Sequence, residues 1–177
     1  MIFTPTRIKD AFVIDLERVE DERGFFARSW CASEFEQHGL DANLAQTSIS
    51  FNKQKGTLRG MHYQVAPHEE AKLVRCTQGA AYDVIIDLRP ESPSFKRWYS
   101  VELTADNGKS LYVPKGLAHG FQTLTDETTL FYQISTSYHP ESARGLRFDD
   151  PAFGVEWPAI EPTISAKDRM NSSFQAD

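Results

Sequence analysis

Short segments rich in β-branched and aromatic residues, separated by turn residues, dominate the hydrophobic pattern of this chain. Glycine, proline, asparagine, aspartate and serine mark the turns between several of them. Closely spaced short strands of this kind are typical of antiparallel sandwiches and jelly rolls, so the pattern predicts an all-β fold. The segments predicted as strands are residues 11–16, 72–76, 81–88, 98–103, 110–113, 120–124 and 129–134.

Helical signals are scarce. Ser33, followed three residues later by Glu36, has the pattern of a capping box, which predicts a short helix over residues 33–38 that ends at Gly39. The tail after Pro158 favours a second helix opening near Ser165. The chain has 177 residues and no repeat, low-complexity tract or linker, so we expect one domain over residues 1–177 with a few short peripheral helices.

Charge and composition narrow the range of functions. The net charge of −6 and the sequence pI of about 5.4 argue against a general nucleic-acid-binding protein. No apolar run reaches the roughly 18 residues of a membrane span, and acidic residues fall where a signal peptide would be apolar. Cys31 and Cys76 are the only cysteines and form no metal-type spacing. We therefore expect a cytoplasmic protein with reduced thiols and no membrane association.

Two glycine- and histidine-containing stretches stand out, and their spacing resembles the two motifs of the cupin superfamily. In the stretch from Gly108 to His119, glycine, five residues, Pro-x-Gly, two residues and histidine are all present, although Thr123 replaces a usual asparagine. In the stretch from Gly56, glycine, five residues and His62 match. The resemblance implies a cupin-type jelly roll.

The ligand set of a metal-binding cupin is incomplete in this sequence. Such proteins typically use three histidines and a glutamate for divalent metals. Gln64 stands in the place of one histidine, and Glu69 fits the acidic position only weakly because the following glycine is out of register. Two imidazoles and one doubtful carboxylate make a poor site, so we expect no bound metal.

A closer resemblance covers most of the chain, from about Arg23 to Asp168. It is carried by the runs DERGFF from residue 21, LRGMHYQ from 58, KLVR from 72, DVIIDLR from 83, VPKGLAHGF from 113 and FY from 131. These runs resemble the dTDP-4-dehydrorhamnose 3,5-epimerase family. The resemblance implies a cofactor-free homodimer that inverts C3, C5 or both on a nucleotide-linked 4-keto-6-deoxyhexose. It also implies a role in deoxysugar biosynthesis of the rhamnose type.

That chemistry has clear requirements. C3 and C5 flank the C4 ketone, which acidifies their protons because the carbanion delocalises onto oxygen. Epimerisation then needs a base that titrates near neutrality, an acid on the opposite face, and a cation near the oxygen. The resemblance places the base at His62, the acid at Tyr132 and the cation at Lys72.

A histidine base works better when a carboxylate fixes its tautomer. The resemblance places that partner at Asp168, and Asp83 is a competing candidate. Asp168 also follows Ser165 by three residues, which fits a helix cap instead.

Further positions match substrate contacts of the family. Arginine suits a diphosphate through its fork of donors, an aromatic ring can stack on a nucleobase, and a glutamine can read the edge of that base. The positions are Arg23, Phe26, Arg28, Gln46, Ser48, Arg59, His119 and Tyr138.

Two of these positions depart from the family. Arg28 stands where a glutamate is common in the nucleobase pocket, and Ser48 replaces an asparagine. A carboxylate accepts the N3–H of thymine, whereas an arginine satisfies the bare N3 acceptor of cytosine, and a mismatch costs about 1–3 kcal/mol. A CDP- or GDP-linked substrate is therefore an alternative to dTDP.

Other functions also stay open. A single-centre epimerase or a ketoisomerase would use the same base. A metal-dependent cupin enzyme and a non-catalytic carbohydrate-binding jelly roll are more remote. The sequence does not decide how many centres are inverted or which sugar is formed.

Overall fold

The computed structural model describes residues 1–175. Within that range the regular secondary structure is mostly β-strand, with two short helices. The strands are β1 (Ile2–Pro5), β2 (Phe12–Asp15), β3 (Val19–Asp21), β4 (Gly24–Phe26), β5 (Gln46–Asn52), β6 (Thr57–Gln64), β7 (Lys72–Gln78), β8 (Ala80–Asp87), β9 (Trp98–Thr104), β10 (Ser110–Val113), β11 (Leu117–Thr123), β12 (Thr128–Ile134), β13 (Ala143–Gly145) and β14 (Thr163–Ile164). The helices are α1 (Ala32–Gln37) and α2 (Ala166–Arg169).

The strands form two main sheets. One has the order β1-β2-β10-β7-β12-β5, and the other has the order β13-β6-β11-β8-β9. Neighbouring strands along both orders are antiparallel, whereas β14 is added beside β6 in parallel. A hairpin of β3 and β4 stands apart. This arrangement confirms the predicted all-β, cupin-type jelly roll.

Alternation along the strands divides each sheet into an inner and an outer face, because successive side chains of a strand point to opposite sides. On β12, Leu130 packs in the core between the sheets and Tyr132 packs against it, two residues further along. On β11, Leu117 and Phe121 lie in the same core on either side of His119. The inner faces of the sheets therefore carry both the apolar core residues and polar motif residues such as His119.

Strands β6 and β11 approach each other unusually closely beside the two motif histidines. Gly60 has φ +113°, and a Cβ atom at this position would lie 2.7 Å from the Cα of Gly120 and 2.8 Å from the backbone oxygen of His119. A Cβ atom at Gly120 would lie 2.6 Å from Sδ of Met61. Only glycine fits at this contact, and the pairing between the strands shifts its register just after His119. The two glycines thus set how close His62 and His119 lie.

All seven predicted strands occur, with bounds that differ by up to three residues at an end. The capping-box prediction at Ser33 is wrong: Cys31 occupies the N-cap of α1 without a side-chain hydrogen bond, so Ser33 lies within the first turn. The helix predicted near Ser165 is confirmed, since the Ser165 hydroxyl accepts a hydrogen bond from the Asp168 amide at the start of α2. Within residues 1–175 neither helix has the length and apolar character needed to cross a membrane.

Candidate active site

A cavity of about 580 Å³ opens between the two sheets. This volume lies within the usual range of small-molecule sites. Strands β6 and β11 supply one wall, and β5, β7 and β12 supply the other. Eight of the residues predicted from the sequence line it: Gln46, Ser48, Arg59, His62, Lys72, His119, Tyr132 and Tyr138.

His62 is paired with Asp168. Its Nε2 atom lies 2.6 Å from Oδ1 of Asp168, and the backbone amide of Gly60 donates to the other carboxylate oxygen at 3.4 Å. The carboxylate is buried, whereas the imidazole is half-exposed to the cavity. Since an ionised carboxylate only accepts, Nε2 carries the shared hydrogen and Nδ1 is left as the free basic nitrogen when the ring is neutral.

The local structure explains how a residue so distant in sequence reaches His62. Strand β14 pairs in parallel with the start of β6, with Ile164 opposite Leu58. The Ser165 cap then turns the chain into α2, and Asp168 lies in its single turn. The backbone amide of Asp168 completes the cap while its carboxylate meets His62. Both functions considered for Asp168 are therefore present, one in the main chain and one in the side chain.

The surroundings of His62 favour its neutral imidazole, the form that can accept a proton. Burial lowers the pKa of His62, because a low-polarity surrounding disfavours the imidazolium. The hydrogen bond to Asp168 and the charge of that carboxylate oppose this, while the nearby Lys72 and His119 add to the lowering. The net direction is downward.

Tyr132 lies on the opposite wall of the cavity from His62. Its ring packs edge-on against the ring of His119, with centroids 5.9 Å apart. Burial raises the pKa of the Tyr132 phenol well above its ordinary value, the charge of Asp83 acts in the same direction, and Arg59 acts against it. The phenol is therefore protonated throughout the physiological range and is able to donate a proton.

His119 has its own carboxylate partner. Its Nε2 atom lies 2.9 and 3.1 Å from the two oxygens of Asp83, and both side chains are buried. The competing candidate for the partner of His62 therefore pairs with a different histidine. Because His62 and His119 lie opposite each other on β6 and β11, the two imidazole–carboxylate pairs are side by side.

Lys72 forms an almost buried ion pair with Glu70, with Nζ and Oε1 2.8 Å apart. Its ammonium group also lies 3.5 Å from the backbone oxygen of His62. Glu70 lines the cavity and was missed by sequence reasoning, because nothing in the local pattern distinguishes it from its neighbour Glu69. Only the side-chain contacts in the structure show which of the two carboxylates meets Lys72.

The substrate-binding candidates at the cavity have fixed orientations. Nε of Arg59 donates to Oδ1 of the buried Asn52 at 2.8 Å, which leaves the rest of the guanidinium for other acceptors. Oε1 of Gln46 accepts a hydrogen bond from the backbone amide of Tyr138 at 3.1 Å. Sequence reasoning also missed other cavity-lining residues, among them Tyr63, Arg144, Lys167 and Asn171.

Three predicted substrate-binding residues lie away from the cavity in this chain. Arg23 and Phe26 are on the β3–β4 hairpin, where Arg23 pairs with Asp21 and Phe26 is 78% exposed. Arg28 is exposed and donates to Glu34 at 2.8 Å. Their binding functions stay predictions.

A cluster of possible metal donors lies on the loops beyond the cavity. Donor atoms of His68, His139 and Glu141 lie within 4.8 Å of one another. The two imidazole rings stack with centroids 3.5 Å apart and planes 7° apart. Because an imidazole lone pair lies in the plane of its ring, two stacked parallel rings do not direct their lone pairs at one point. The geometry favours stacking over chelation.

The fold and the cavity define a class: a cupin-type jelly roll with an open pocket between its two sheets. Residues 5–176 match the family described as dTDP-4-dehydrorhamnose 3,5-epimerase. The chain belongs to this family.

Relatives and solved structures agree with this assignment. The chain is 40% identical over 175 residues to the dTDP-4-dehydrorhamnose 3,5-epimerase of Sinorhizobium fredii NGR234, covering 98% of this chain and 90% of the relative. The crystal structure of the enzyme of the same name from Elizabethkingia anophelis superposes with a TM-score of 0.95 at 36% identity, covering 98% and 96%. The dTDP-6-deoxy-D-glucose-3,5-epimerase of Legionella pneumophila, solved in complex with dTDP-4-keto-L-rhamnose, superposes with a TM-score of 0.90 at 35% identity, covering 97% and 92%.

Proposed function

We propose that this chain is an isomerase that epimerises C3 and C5 of a dTDP-linked 4-keto-6-deoxyhexose in deoxysugar biosynthesis. The observation that carries the proposal is the placement of the His62–Asp168 pair and Tyr132 on facing walls of one cavity. A base and an acid on opposite faces of a bound ring are what inversion at carbon requires. Membership of the epimerase family supports the same reaction.

In the first step, Nδ1 of His62 removes the proton from a carbon beside the ketone. The C–H electron pair then moves into the ring, and the ketone becomes an enolate. Asp168, hydrogen-bonded at 2.6 Å, stabilises the imidazolium that forms. The low pKa of His62 suits this step, because the ring is unprotonated before the substrate reacts.

Lys72 stabilises the enolate oxygen. Its ammonium group lies at the cavity wall and is almost buried, where a charge interacts more strongly than in water. Glu70 holds this group in place but leaves part of its hydrogen-bonding capacity, since an ammonium has three donors.

In the second step, Tyr132 gives its phenolic proton to the same carbon from the opposite face. The enolate returns to the ketone and the carbon is inverted, while the phenolate and the imidazolium exchange protons with solvent to restore the enzyme. The raised pKa of Tyr132 guarantees that the proton is present at the start. The same sequence at the second carbon completes a double epimerisation.

The charge of the cavity fits a nucleoside diphosphate. Arg59, Lys72, Arg144 and Lys167 line it together with the carboxylate of Glu70, although the chain as a whole has a net charge of −6. Cations gathered at one site of an acidic protein favour an anionic substrate over general binding to polyanions.

A homodimer belongs to the same proposal. The β3–β4 hairpin exposes Val19, Phe25 and Phe26, and the sheet-edge strand β5 exposes Ile49 and Phe51. Exposed apolar side chains in this number mark an interaction surface. If two copies pair through these strands, the hairpin of one copy supplies its arginine and aromatic rings to the cavity of the other. Light scattering with size-exclusion chromatography tests the dimer, and a monomeric mass for the active protein would contradict it.

A cytoplasmic location, expected from the sequence, is likewise part of this proposal.

The decisive experiment follows deuterium entry at C3 and C5 of dTDP-4-keto-6-deoxyglucose by NMR in D₂O. The wild-type protein should exchange both positions and convert the sugar. His62→Ala should lose about 10²- to 10⁴-fold, the usual scale for a general base. His38→Ala is the control, because His38 stacks on Phe3 away from the cavity. Exchange at only one carbon would make the protein a single-centre epimerase, and no exchange would refute the proposal.

A further inference from the structure

Gln64 is a buried side chain that links two parts of the site, and the proposed mechanism does not use it. The residue is 3% exposed and is the last of β6, two positions after His62. Oε1 accepts a hydrogen bond from the backbone amide of His139 at 2.6 Å. Nε2 donates to the backbone oxygen of His68 at 2.9 Å and to Oε2 of Glu70 at 3.0 Å, and the oxygen of Ser137 lies 3.3 Å away.

One side of this network reaches Lys72. Glu70 accepts from Gln64 with Oε2 and pairs with the ammonium of Lys72 through Oε1, at 2.8 Å. The position of the ammonium is therefore set by a carboxylate that is itself held by the amide. Since an NH₂ group offers only two hydrogens, the two shortest contacts, to His68 and Glu70, use them.

The other side reaches the loop that carries Tyr138. The base of this loop is fastened by backbone and hydroxyl contacts of Ser135 and Thr136. Gln64 holds the part beyond that point through the backbone amide of His139, the residue that follows Tyr138. The amide thus fixes the cavity-lining tyrosine relative to the strand that bears His62.

We propose that Gln64 and Glu70 are positioning residues for the epimerisation: Gln64 places Tyr138 and, through Glu70, the ammonium of Lys72. The inference rests on the proposed function. It also explains why the position at which metal-binding cupins have a second histidine carries an amide in this chain. The carboxamide of Gln64 donates to the Glu70 carboxylate and accepts from the His139 amide at the same time. An imidazole of fixed tautomer has a single donor and a single acceptor in a rigid ring, so it meets both partners less well.

The test is a double-mutant cycle read by kcat, KM and dTDP affinity. Gln64→Leu keeps the size of the side chain and removes its hydrogen bonds. It should lower kcat on the order of 10- to 100-fold, the scale of a misplaced reactive group, and weaken dTDP binding measured by calorimetry. Glu70→Gln should lower kcat and should weaken dTDP binding less than Gln64→Leu does, because Glu70 bonds to Lys72 and Gln64 but not to the backbone of the loop that carries Tyr138. His139→Ala is the matched control, since it removes the ring stack on the same loop but keeps the backbone hydrogen bond.

The cycle separates positioning from a general effect on the fold. In a Lys72→Met background, Gln64→Leu and Glu70→Gln should each lower kcat by less than about threefold, because effects that pass through one group are not additive. Equal losses in both backgrounds, or a Gln64→Leu protein with wild-type kcat and dTDP affinity, would overturn the inference. If Gln64→Leu does not fold, the Glu70→Gln cycle decides by the same criterion.

Failure of the proposed function gives a different result. In that case the wild-type protein itself shows no exchange on the 4-keto sugar, whatever happens at residue 64. The calorimetric comparison of wild type, Gln64→Leu and His139→Ala still reports on Tyr138, and equal dTDP affinity in all three would then overturn the positioning of that residue.

Discussion

The imidazole of His62 and the carboxylate of Asp168 are 106 residues apart in sequence and 2.6 Å apart in space. The contact depends on two weak local features, a two-residue strand and a four-residue helix with a serine cap. Neither is stable alone, since a helix of one turn has little intrinsic stability in water. The parallel pairing of β14 with β6 ties both to the strand that carries the histidine.

Removing the charge of Asp168 should change both the rate and the pH dependence. Asp168→Asn loses the carboxylate that holds the tautomer of His62, so we expect kcat/KM to fall on the order of 10²- to 10⁴-fold. The carboxylate raises the pKa of His62, so its loss should lower that pKa further. The acid limb of kcat/KM, along which activity disappears as the pH falls and the base becomes protonated, should therefore move to lower pH. An unchanged limb, or one at higher pH, would contradict the pairing.

Tyr132→Phe should separate proton removal from inversion. His62 still forms the enolate, so solvent deuterium should still enter the substrate, but the donor on the opposite face is absent. Epimerised product should fall on the order of 10²- to 10⁴-fold, and exchange without inversion should fall much less. NMR of the recovered substrate and product measures both. Tyr82→Phe is the control, because the Tyr82 hydroxyl donates to the backbone of Glu156 and lies outside the cavity lining. Parallel losses of exchange and product would assign Tyr132 a different function.

The close contact between β6 and β11 should make Gly60→Ala costly. A positive φ costs an alanine about 1–2 kcal/mol, and the forced overlap with Gly120 and the backbone of His119 adds about 1–3 kcal/mol. Gly39→Ala is matched in the sign of φ but has open space around its Cβ, so it should show only the first cost. Urea denaturation of the two variants gives the difference. Similar free energies of unfolding would show that the strands separate without penalty.

We expect that Arg28 does not decide which nucleobase of the substrate the protein prefers. Its guanidinium is exposed and bonded to Glu34, so Arg28→Ala should change KM for a dTDP-linked substrate less than about threefold, as expected for an exposed ion pair of small worth. Turnover of dTDP- and CDP-linked 4-keto-6-deoxyglucose should favour the dTDP substrate in both proteins. A CDP preference that disappears in Arg28→Ala would instead show that this arginine reads the base of a bound cytidine nucleotide.

The sequence predicts the strands and fold of this molecule better than the contacts of its candidate active site. Strands such as β8 and β12 are recognisable because each contains a run of β-branched, aromatic or other apolar residues, at positions 84–86 and 130–132. Strand β6 was not predicted as a strand, since Arg59, Gly60 and His62 interrupt its apolar pattern with residues that serve the cavity. Strand β5 is hard to predict for the same reason. Most of its residues are polar, because its side chains face the cavity or solvent and do not enter the core.

The motif residues gave the histidines, the lysine and the buried tyrosine of the cavity, but their partners needed the tertiary structure. Asp83 and Asp168 were both possible partners for His62, and only the register of β11 with β8 and of β14 with β6 separates them. Glu70 and Asn52 gave no signal, because neither lies in a recognisable motif and their contacts with Lys72, Gln64 and Arg59 appear only in the folded structure. The hairpin residues Arg23 and Phe26 illustrate the opposite case, where a family pattern points to a contact that one chain alone does not make.

The parallel addition of β14 has a consequence for how activity is gained and lost. The two sheets are complete before residue 163, and the stretch that leads into β14 includes the exposed Glu161. A protease that cuts there would leave a folded sandwich whose histidine lacks its counter-charge. Inactivation would then precede unfolding, and adding the severed segment back as a peptide would be the way to reverse it.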